Sequence, residues 1–397
     1  MDGNNVVVDI GTRLELFVDD FLIDRLHGTE RRLHSPIPQA EVFVPDRPWE
    51  GNACGHFTIF EDGDIFRMYY RGADTLYEEG KSTVSPHDRV VCYAESQDGI
   101  NWTRPSLDLV EFAGSKDNNI IWKGEGSNNF VPFKDTNPET DPKSQYKAIT
   151  VVGLNGAPKH QRGLIPLGSP DGINWRRLAE EPVITKGVFD SHNLAFWDRE
   201  QEEYRVYHRD FRVGYDSRGN RNGRDIRTAT SPDFSNWSDP VWINYSPGRV
   251  SELYTNGVTQ YYRAPHIYLG FPTRYIDRGW TQSTEHLPQL KYRRIRGSLS
   301  EREGTAVTDG MFMSSRDGLN FDIWPESFIR PGLRLKDNWF YGDNYQNLGI
   351  IETESSIIGA PKEFSFYVTE AAHQPGGAKR VRRHTLRIDG FVSLQAN

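Results

Sequence analysis

Carboxylate and imidazole side chains precede several apolar segments of this chain, and they are the groups best suited to proton transfer. Asp190 and His192 lie just ahead of one such segment, and Glu252 lies ahead of the next. Two carboxyl groups, one protonated and one ionised, can act as general acid and general base. We predict that Asp190 and Glu252 form this pair, with Glu50 as a third candidate. His56 and His192 can orient an acid or transfer a proton themselves, because a histidine pKa is easily tuned near neutrality.

Amide, carboxyl and aromatic side chains recur at corresponding points along the chain. Amides and acids bond hydroxyl groups, and aromatic faces pack on apolar ring surfaces. These residues therefore predict a binding site for a polyhydroxylated ligand, built from Trp49, Asn52, His56, Asn129, His192, Asp343 and Tyr345.

Three arginines follow strand-like segments: Arg71, Arg209 and Arg274. Their forked guanidinium groups suit a carboxylate or sulfate if they point into the site. The alternative is that they form salt bridges with acids close in sequence, namely Asp74, Asp210 and Asp277.

A short sequence motif recurs four times and identifies the elements that must position these residues. Each copy begins Ser-x-Asp and ends on a large aromatic residue, at 96–102, 169–175, 231–237 and 315–321, and a degraded copy lies at 387–391. Asp-Gly pairs make tight turns because glycine adopts positive φ and aspartate bonds its own backbone. A motif whose residues recur while the distance between copies varies indicates one supersecondary unit that is used repeatedly. Its aspartates are expected to serve the turns.

Aromatic and β-branched segments before each turn indicate antiparallel strands and not helices. We expect an all-β fold, a single five-bladed β-propeller over residues 1–397, with blades at roughly 50–110, 125–185, 188–245, 250–330 and 340–394. A strand at 14–24 is expected to close the ring and protect its open edges. The first strand of each blade would line the axis, where the candidate residues would converge.

The segment from Trp49 to Arg71 resembles the first blade of the five-bladed glycoside hydrolases of families 32 and 43. The resemblance implies a catalytic Asp on the first blade, a Glu on the third, and a second Asp on the second blade that holds the sugar. Asn52 stands at the first Asp position, and Asn128 or Asn129 at the second. The resemblance therefore implies a divergent active site.

Together, the residues and the resemblance predict a glycoside hydrolase. We expect it to act from the end of an oligosaccharide or polysaccharide chain, and a substrate that includes an acidic sugar is one alternative. A non-catalytic carbohydrate-binding propeller stays open because of Asn52 and Asn129. A polysaccharide lyase acting on a uronate-containing glycan also stays open, with Tyr345, His192 and Arg209 as its working groups. A sialidase-like propeller fits less well, since neither an arginine triad nor a Tyr–Glu pair can be read from the sequence.

The composition argues against several partners. The net charge of −8 and the scattered basic residues disfavour nucleic acid, and no apolar run approaches the roughly 20 residues that span a bilayer. Cys54 and Cys92 match no zinc or redox spacing and are expected to be buried thiols. No cofactor or metal is expected, with a structural calcium ion on the axis left open. Oligomeric state is not predicted, and the compartment is secreted or periplasmic if a signal peptide was removed, otherwise cytoplasmic.

Overall fold

The computed structural model describes residues 7–81, 85–153, 161–212, 223–248, 251–298, 300–377 and 379–396. The fold is all-β, with 40% strand and 5% helix. Five larger sheets hold most of the strands in the described ranges, and we number them 1 to 5 along the chain.

Sheets 1, 2 and 3 are antiparallel meanders, and we call the first strand of each its inner strand. Sheet 1 comprises Gly55–Asp62, Ile65–Gly72, Val90–Ser96 and Ile120–Lys123. Sheet 2 comprises Val131–Lys134, Tyr146–Val152, Gly163–Ser169 and Arg176–Arg177. Sheet 3 comprises Leu194–Asp198, Glu203–Phe211, Arg224–Ser231 and Val241–Trp242.

Sheets 4 and 5 are more irregular. Sheet 4 contains, in spatial order, Thr259–Tyr261, Ala264–Gly270, Met313–Ser315, Asn320–Ile323 and Asn244–Ser246, the last pair being parallel. A three-stranded sheet beside it comprises Glu252–Leu253, Thr273–Ile276 and Val307–Gly310. In sheet 5, Tyr345–Gln346 and Ile351–Thr353 both pair with Glu363–Glu370, which is followed by Arg380–Arg387 and Ile37–Phe43. A separate ribbon pairs Thr29–Leu33 with Val392–Ala396.

Short helices, which the sequence patterns did not indicate, connect two strands of the three-stranded sheet, and one more lies between the first two strands of sheet 2. The α-helices are Gln282–Glu285, Leu290–Arg296 and Glu301–Thr305, and a 3₁₀ helix spans Pro142–Ser144. The first begins with a capping box, in which the Thr281 N–H donates to Thr284 Oγ1 at 2.7 Å. Helices of two turns or fewer are too short to impose a clear 3.6-residue periodicity on the sequence.

The N-terminal part of the chain closes sheet 5, but with a different strand from the one predicted. Ile37–Phe43 forms the outer strand of that sheet. Residues 14–24 form no strand. Asp19 Oδ1 accepts a hydrogen bond from the Phe21 N–H at 3.1 Å, which supports a turn within the predicted strand.

The hydrophobic core lies between adjacent sheets. A separate cluster of buried side chains fills each junction from sheets 1–2 to sheets 4–5, and a further cluster joins sheet 5 to sheet 1. At that junction the Leu348 N–H donates to the Phe57 carbonyl at 3.0 Å, and the Leu348 carbonyl accepts from the Ile59 N–H at 2.8 Å. The five sheets therefore pack in a closed succession.

The repeated Ser-x-Asp motif forms a turn, as expected, and it also joins neighbouring sheets. Asp98 Oδ1 accepts hydrogen bonds from the N–H groups of Ile100 at 2.8 Å and Asn101 at 2.7 Å. Although burial acts to raise it, these bonds lower the pKa of Asp98 to about 2. Tyrosine hydroxyls of the preceding sheet donate to the glycine carbonyl of three copies: Tyr69 to Gly172, Tyr207 to Gly318 and Tyr367 to Gly99.

Candidate functional site

A histidine pair marks the point where sheets 1 and 3 approach each other. The pairing of Gly55 with Arg71 puts the start of the inner strand of sheet 1 beside the end of its second strand. His56 follows Gly55, and its ring centroid lies 5.3 Å from that of His192, just ahead of the inner strand of sheet 3. Since sheet 2 separates these sheets in the succession, the pair lies where inner strands converge. We take it as the centre of the candidate site.

Both imidazoles are neutral at pH 7. Burial lowers the pKa of His192 to about 4. Burial also lowers the pKa of His56 well below its usual value, and the positive charge of Arg71 is the next largest cause, with Arg89 and Arg209 adding to it. A neutral imidazole can accept a proton or bond a hydroxyl group.

The arginines around this pair have no carboxylate partner among the described residues. Arg71 donates through Nη2 to the Ala53 carbonyl at 2.8 Å and through Nη1 to Asn128 Oδ1 at 3.0 Å, and its buried Nε has no acceptor. Arg209 donates through Nε to the Val188 carbonyl at 3.3 Å. Arg89 is exposed. These arginines therefore form no ion pair within the described ranges, and they retain unused N–H donors.

Asp190 is an exposed carboxylate on a firmly held loop. Asn129 Nδ2 donates to the carbonyls of Phe189 at 2.9 Å and Ser191 at 2.5 Å, on either side of Asp190. Asn193 Nδ2 donates to the same Phe189 carbonyl at 2.8 Å. Burial and the charge of Arg89 lower the pKa of Arg71, and the negative charge of Asp190 partly offsets them. Asp190 thus belongs to the site, whereas Asn129, predicted to bind substrate, supports the loop.

A tyrosine cluster borders the site on the side of sheet 4. Ser191 Oγ donates to the Tyr254 carbonyl at 2.6 Å, and the guanidinium of Arg209 lies 5.1 Å from the Tyr254 ring centroid. Tyr345 lies 5.6 Å from Tyr254, ring to ring, and Tyr341 donates to the Tyr254 hydroxyl at 2.6 Å. These rings supply flat apolar surface beside the arginines.

Glu252 lies at the outer edge of this cluster, paired with Arg224. Its Oε2 accepts from Arg224 Nη1 at 2.8 Å and from the Arg224 N–H at 3.2 Å. The Arg224 guanidinium also lies 5.8 Å from the Tyr254 ring centroid. Each member of the predicted acid–base pair thus has a neighbour in contact with Tyr254, namely Ser191 beside Asp190 and Arg224 paired with Glu252.

Glu50 and Trp49 are not part of this site. Both Glu50 carboxylate oxygens are occupied, because Arg104 donates to Oε1 at 2.8 Å and to Oε2 at 3.1 Å, and Tyr70 donates to Oε1 as well. The indole of Trp49 donates to Asn119 Oδ1 at 2.7 Å. The sequence showed the carboxylate of Glu50 but not the distant arginine that binds it.

Three further predicted ligand-binding residues are also used by the protein itself. The Asn52 amide bonds both backbone groups of Thr75, at 2.9 and 3.1 Å. Arg274 donates from Nε to Asp309 Oδ1 at 2.9 Å and from Nη2 to Oδ2 at 2.5 Å, away from the histidine pair. Asp343 is buried and accepts from two backbone N–H groups, and burial raises its pKa to about 6.

Sequence reasoning missed Arg89 and Arg224, which occupy equivalent places. Arg89 directly precedes Val90–Ser96, and Arg224 begins Arg224–Ser231. These are the third strands of sheets 1 and 3. Because neighbouring strands are antiparallel, a third strand begins where the second one ends. Inspecting those positions would have found both arginines.

Two cavities lie at opposite ends of the inner strands. One of about 510 Å³ adjoins the site and is lined by Arg89, Asn128, His87 and Ser127. The other, of about 410 Å³, lies where the inner strands end and is lined mainly by apolar side chains, including Phe60, Phe196 and Trp197. The titratable groups described above lie at the first end, so we assign the candidate site there.

Neither a metal centre nor a membrane-spanning helix is found in the described ranges. They contain no group of three or more His, Cys, Asp and Glu side chains that could hold a metal ion. No described helix is long and apolar enough to cross a membrane. Cys54 and Cys92 are free and buried.

Comparison with known proteins gives a likeness in fold. No protein-family model and no curated protein matches the chain. A solved glycoside hydrolase aligns over 89% of this chain and 92% of its own, with 14% identity and a TM-score of 0.52. An N-acetylgalactosamine deacetylase from F. plautii, solved with blood group B trisaccharide, aligns over 93% and 96%, with 10% identity and a TM-score of 0.53. A β-1,2-mannobiose phosphorylase from Listeria innocua aligns over 88% and 95%, with 12% identity and a TM-score of 0.50. Across almost its whole length, the chain has the fold of these solved proteins.

Proposed function

We propose that this protein is a carbohydrate-active enzyme whose five larger sheets are the blades of a β-propeller. Support for the propeller comes from the closed succession of cores and from the Tyr367–Gly99 contact that joins sheet 5 to sheet 1. Support for the activity comes from the histidine pair, the arginines and the tyrosines at the converging ends of the inner strands. The fold is shared with solved carbohydrate-active enzymes.

The reaction we propose is hydrolysis of a glycosidic bond in an oligosaccharide, acting from a chain end. The observation that carries it is the exposed Asp190 carboxylate, two residues before His192 on a loop held by the buried Asn129 and Asn193. Asp190 would protonate the glycosidic oxygen. Glu252, which is paired with Arg224, would take a proton from the water that attacks the anomeric carbon. The proposal retains the likeness to families 32 and 43, with Asn52 and Asn129 replacing their acids.

Eliminative cleavage is the second candidate, favoured by the two neutral imidazoles beside unpaired arginines. In this reaction His56 or His192 would take the proton on the carbon next to a uronate carboxylate. The carbon–oxygen bond to the leaving sugar would break, forming a carbon–carbon double bond, and Tyr254 or Tyr345 would return a proton to the leaving oxygen.

A panel of oligosaccharides, with products weighed by mass spectrometry, tests these proposals. Hydrolysis adds one water to the summed product mass, whereas elimination adds none. We expect hydrolysis, and we expect Asp190→Asn to lower kcat by about 10²–10⁴-fold. Asp64→Asn, an exposed carboxylate at the hairpin of sheet 1, is the matched control and should retain full activity.

If the summed product mass shows no added water, the reaction is elimination and not hydrolysis. Unchanged turnover in both Asp190→Asn and Glu252→Gln would exclude the proposed acid–base pair. Glycans that bind without being cleaved would identify a non-catalytic binding protein instead.

A further inference from the structure

Three arginines of the candidate site differ from most other arginines in the described ranges. Arg71, Arg89 and Arg209 make no ion pair with any residue in the described ranges, although Arg71 and Arg209 are largely withdrawn from water. A charge removed from water without a partner is destabilising. An external anion bound between these guanidinium groups would offset that cost.

Arg71 and Arg89 approach the same cavity, because Arg71 Nη1 donates at 3.0 Å to Asn128 Oδ1 and Asn128 lines that cavity together with Arg89. Arg71 Nε is buried without an acceptor. Arg209 donates through Nε to the Val188 carbonyl at 3.3 Å, and within the described ranges its two Nη groups have no hydrogen-bond acceptor. The charges of all three arginines act on the same imidazole, that of His56, which lowers its pKa. A single anion beside His56 would be within the influence of all three.

The surroundings of this space suit a sugar ring. Tyr254 lies against the Arg209 guanidinium at 5.1 Å, and Tyr345 lies 5.6 Å from Tyr254. The polar cavity of about 510 Å³ that begins at Arg89 gives room for further sugar units. The site thus combines aromatic surface, hydroxyl-bonding groups and forked cations.

We propose that the candidate site binds a sugar carrying an oxyanion, a carboxylate or a sulfate ester, through Arg71, Arg89 and Arg209. This inference rests on the proposed function and specifies its substrate class. A charge-assisted arginine contact contributes enough free energy for its loss to weaken binding about tenfold to a hundredfold.

The test uses the full chain and a glycan panel in which each backbone is present in a neutral, a carboxylated and a sulfated form. Calorimetric titration should give dissociation constants at least about tenfold lower for an anionic form than for its neutral counterpart. Preference for the carboxylated form identifies a uronate, and preference for the sulfated form identifies a sulfate ester. The advantage should shrink as salt is added, because the contact is electrostatic.

Variants then assign the effect to the cluster. Arg89→Gln and Arg209→Gln should each remove about tenfold or more of the affinity for the anionic form, and each should lower the affinity for the neutral form by a smaller factor. Arg387→Gln, an exposed arginine at the end of Arg380–Arg387, is the control and should bind like the parent. Thermal unfolding of each variant confirms that it folds.

Two failures are distinguishable. If neutral glycans bind and are cleaved as well as the anionic ones, the oxyanion site is excluded while the proposed function stands. If no glycan of any form binds or is cleaved, the proposed function fails and this inference fails with it.

Discussion

The two ends of the second strands in sheets 1 and 3 use the same residue type for different purposes. Arg67 and Arg71 lie four residues apart on one strand, and Arg205 and Arg209 lie four apart on the other. At the far end, Arg67 pairs with Asp62 at 2.5 Å and Arg205 pairs with Asp198 at 3.1 Å. At the site end neither arginine has a carboxylate partner in the described part of the chain. Pairing, and not residue type, separates the scaffold from the site.

The far-end aspartates also join neighbouring sheets. Asp62, which ends the inner strand of sheet 1, accepts from Lys134 at 2.6 Å and from Tyr146 at 2.6 Å, both in sheet 2. Asp198, which ends the inner strand of sheet 3, accepts from Gln260 of sheet 4 at 2.7 Å and from Tyr268. The far end is therefore a set of satisfied ion pairs that stabilises the succession of sheets.

The largest effect on stability should come from Asp198→Ala. Asp198 is fully buried, and its removal leaves the buried cation of Arg205 with only the longer 3.5 Å contact to Glu203. We expect the free energy of unfolding to fall by about 3–5 kcal/mol, measured by urea denaturation. Asp190→Asn, at the site end, should change it by less than about 0.5 kcal/mol because that carboxylate is exposed. Equal losses in both variants would contradict the contrast between the ends.

A second effect should appear as a pH dependence caused by His192. The folded protein holds its pKa at about 4 instead of 6.5, so between these values the unfolded chain binds a proton that the folded one does not. Stability from this group is complete above about pH 6.5 and falls as pH drops towards 4, by about 3 kcal/mol in total. His192→Gln should make the fall in unfolding free energy between pH 7 and pH 4.5 shallower, while His208 and His384, whose pKa burial also lowers to about 4, keep their share of it.

The control for that measurement is His27→Gln, since His27 is exposed. It should keep the parental pH slope. A parental slope in His192→Gln as well would show that His192 is not held neutral.

A smaller effect should follow from Tyr207→Phe. The Tyr207 hydroxyl donates to the Gly318 carbonyl at 2.7 Å and links sheet 3 to a turn of sheet 4. Its loss leaves one buried carbonyl without this donor, so unfolding free energy should fall by about 1 kcal/mol. Substrate turnover by the folded variant should not change. A loss of activity without a loss of stability would show that Tyr207 serves the candidate site and not the packing of the sheets.

The sequence predicted the all-β class and the turns well, because the signals for them are local. Asp171 and Asp317 accept hydrogen bonds from backbone N–H groups two and three residues further on, so all residues that form the turn lie within one short motif. The positions of the strands were predicted from the positions of that motif. The prediction of a closing strand at 14–24 was wrong because it followed the apolar residues at 14–18 and did not take the turn-forming Asp19 into account.

The candidate site was predicted only in part, because pairing depends on residues far away in sequence. Arg209 and Arg274 look alike in the sequence, each at the end of a strand with an aspartate close behind. Yet Arg274 pairs with Asp309, 35 positions away, and Asp210 pairs with Arg227. Neither arginine takes the nearby partner that its sequence suggested. Only the packed structure distinguishes the paired arginine from the unpaired one.

The central claim is tested most directly by measuring unfolding free energy and glycan affinity in both Arg205→Gln and Arg209→Gln. Arg205→Gln should lower the unfolding free energy by about 3 kcal/mol and leave the dissociation constant for an anionic glycan unchanged. Arg209→Gln should weaken that binding about tenfold or more and change stability by less than about 1 kcal/mol. If both variants lose stability alike and neither loses affinity, the two ends of the strands do not differ in purpose and the account is contradicted.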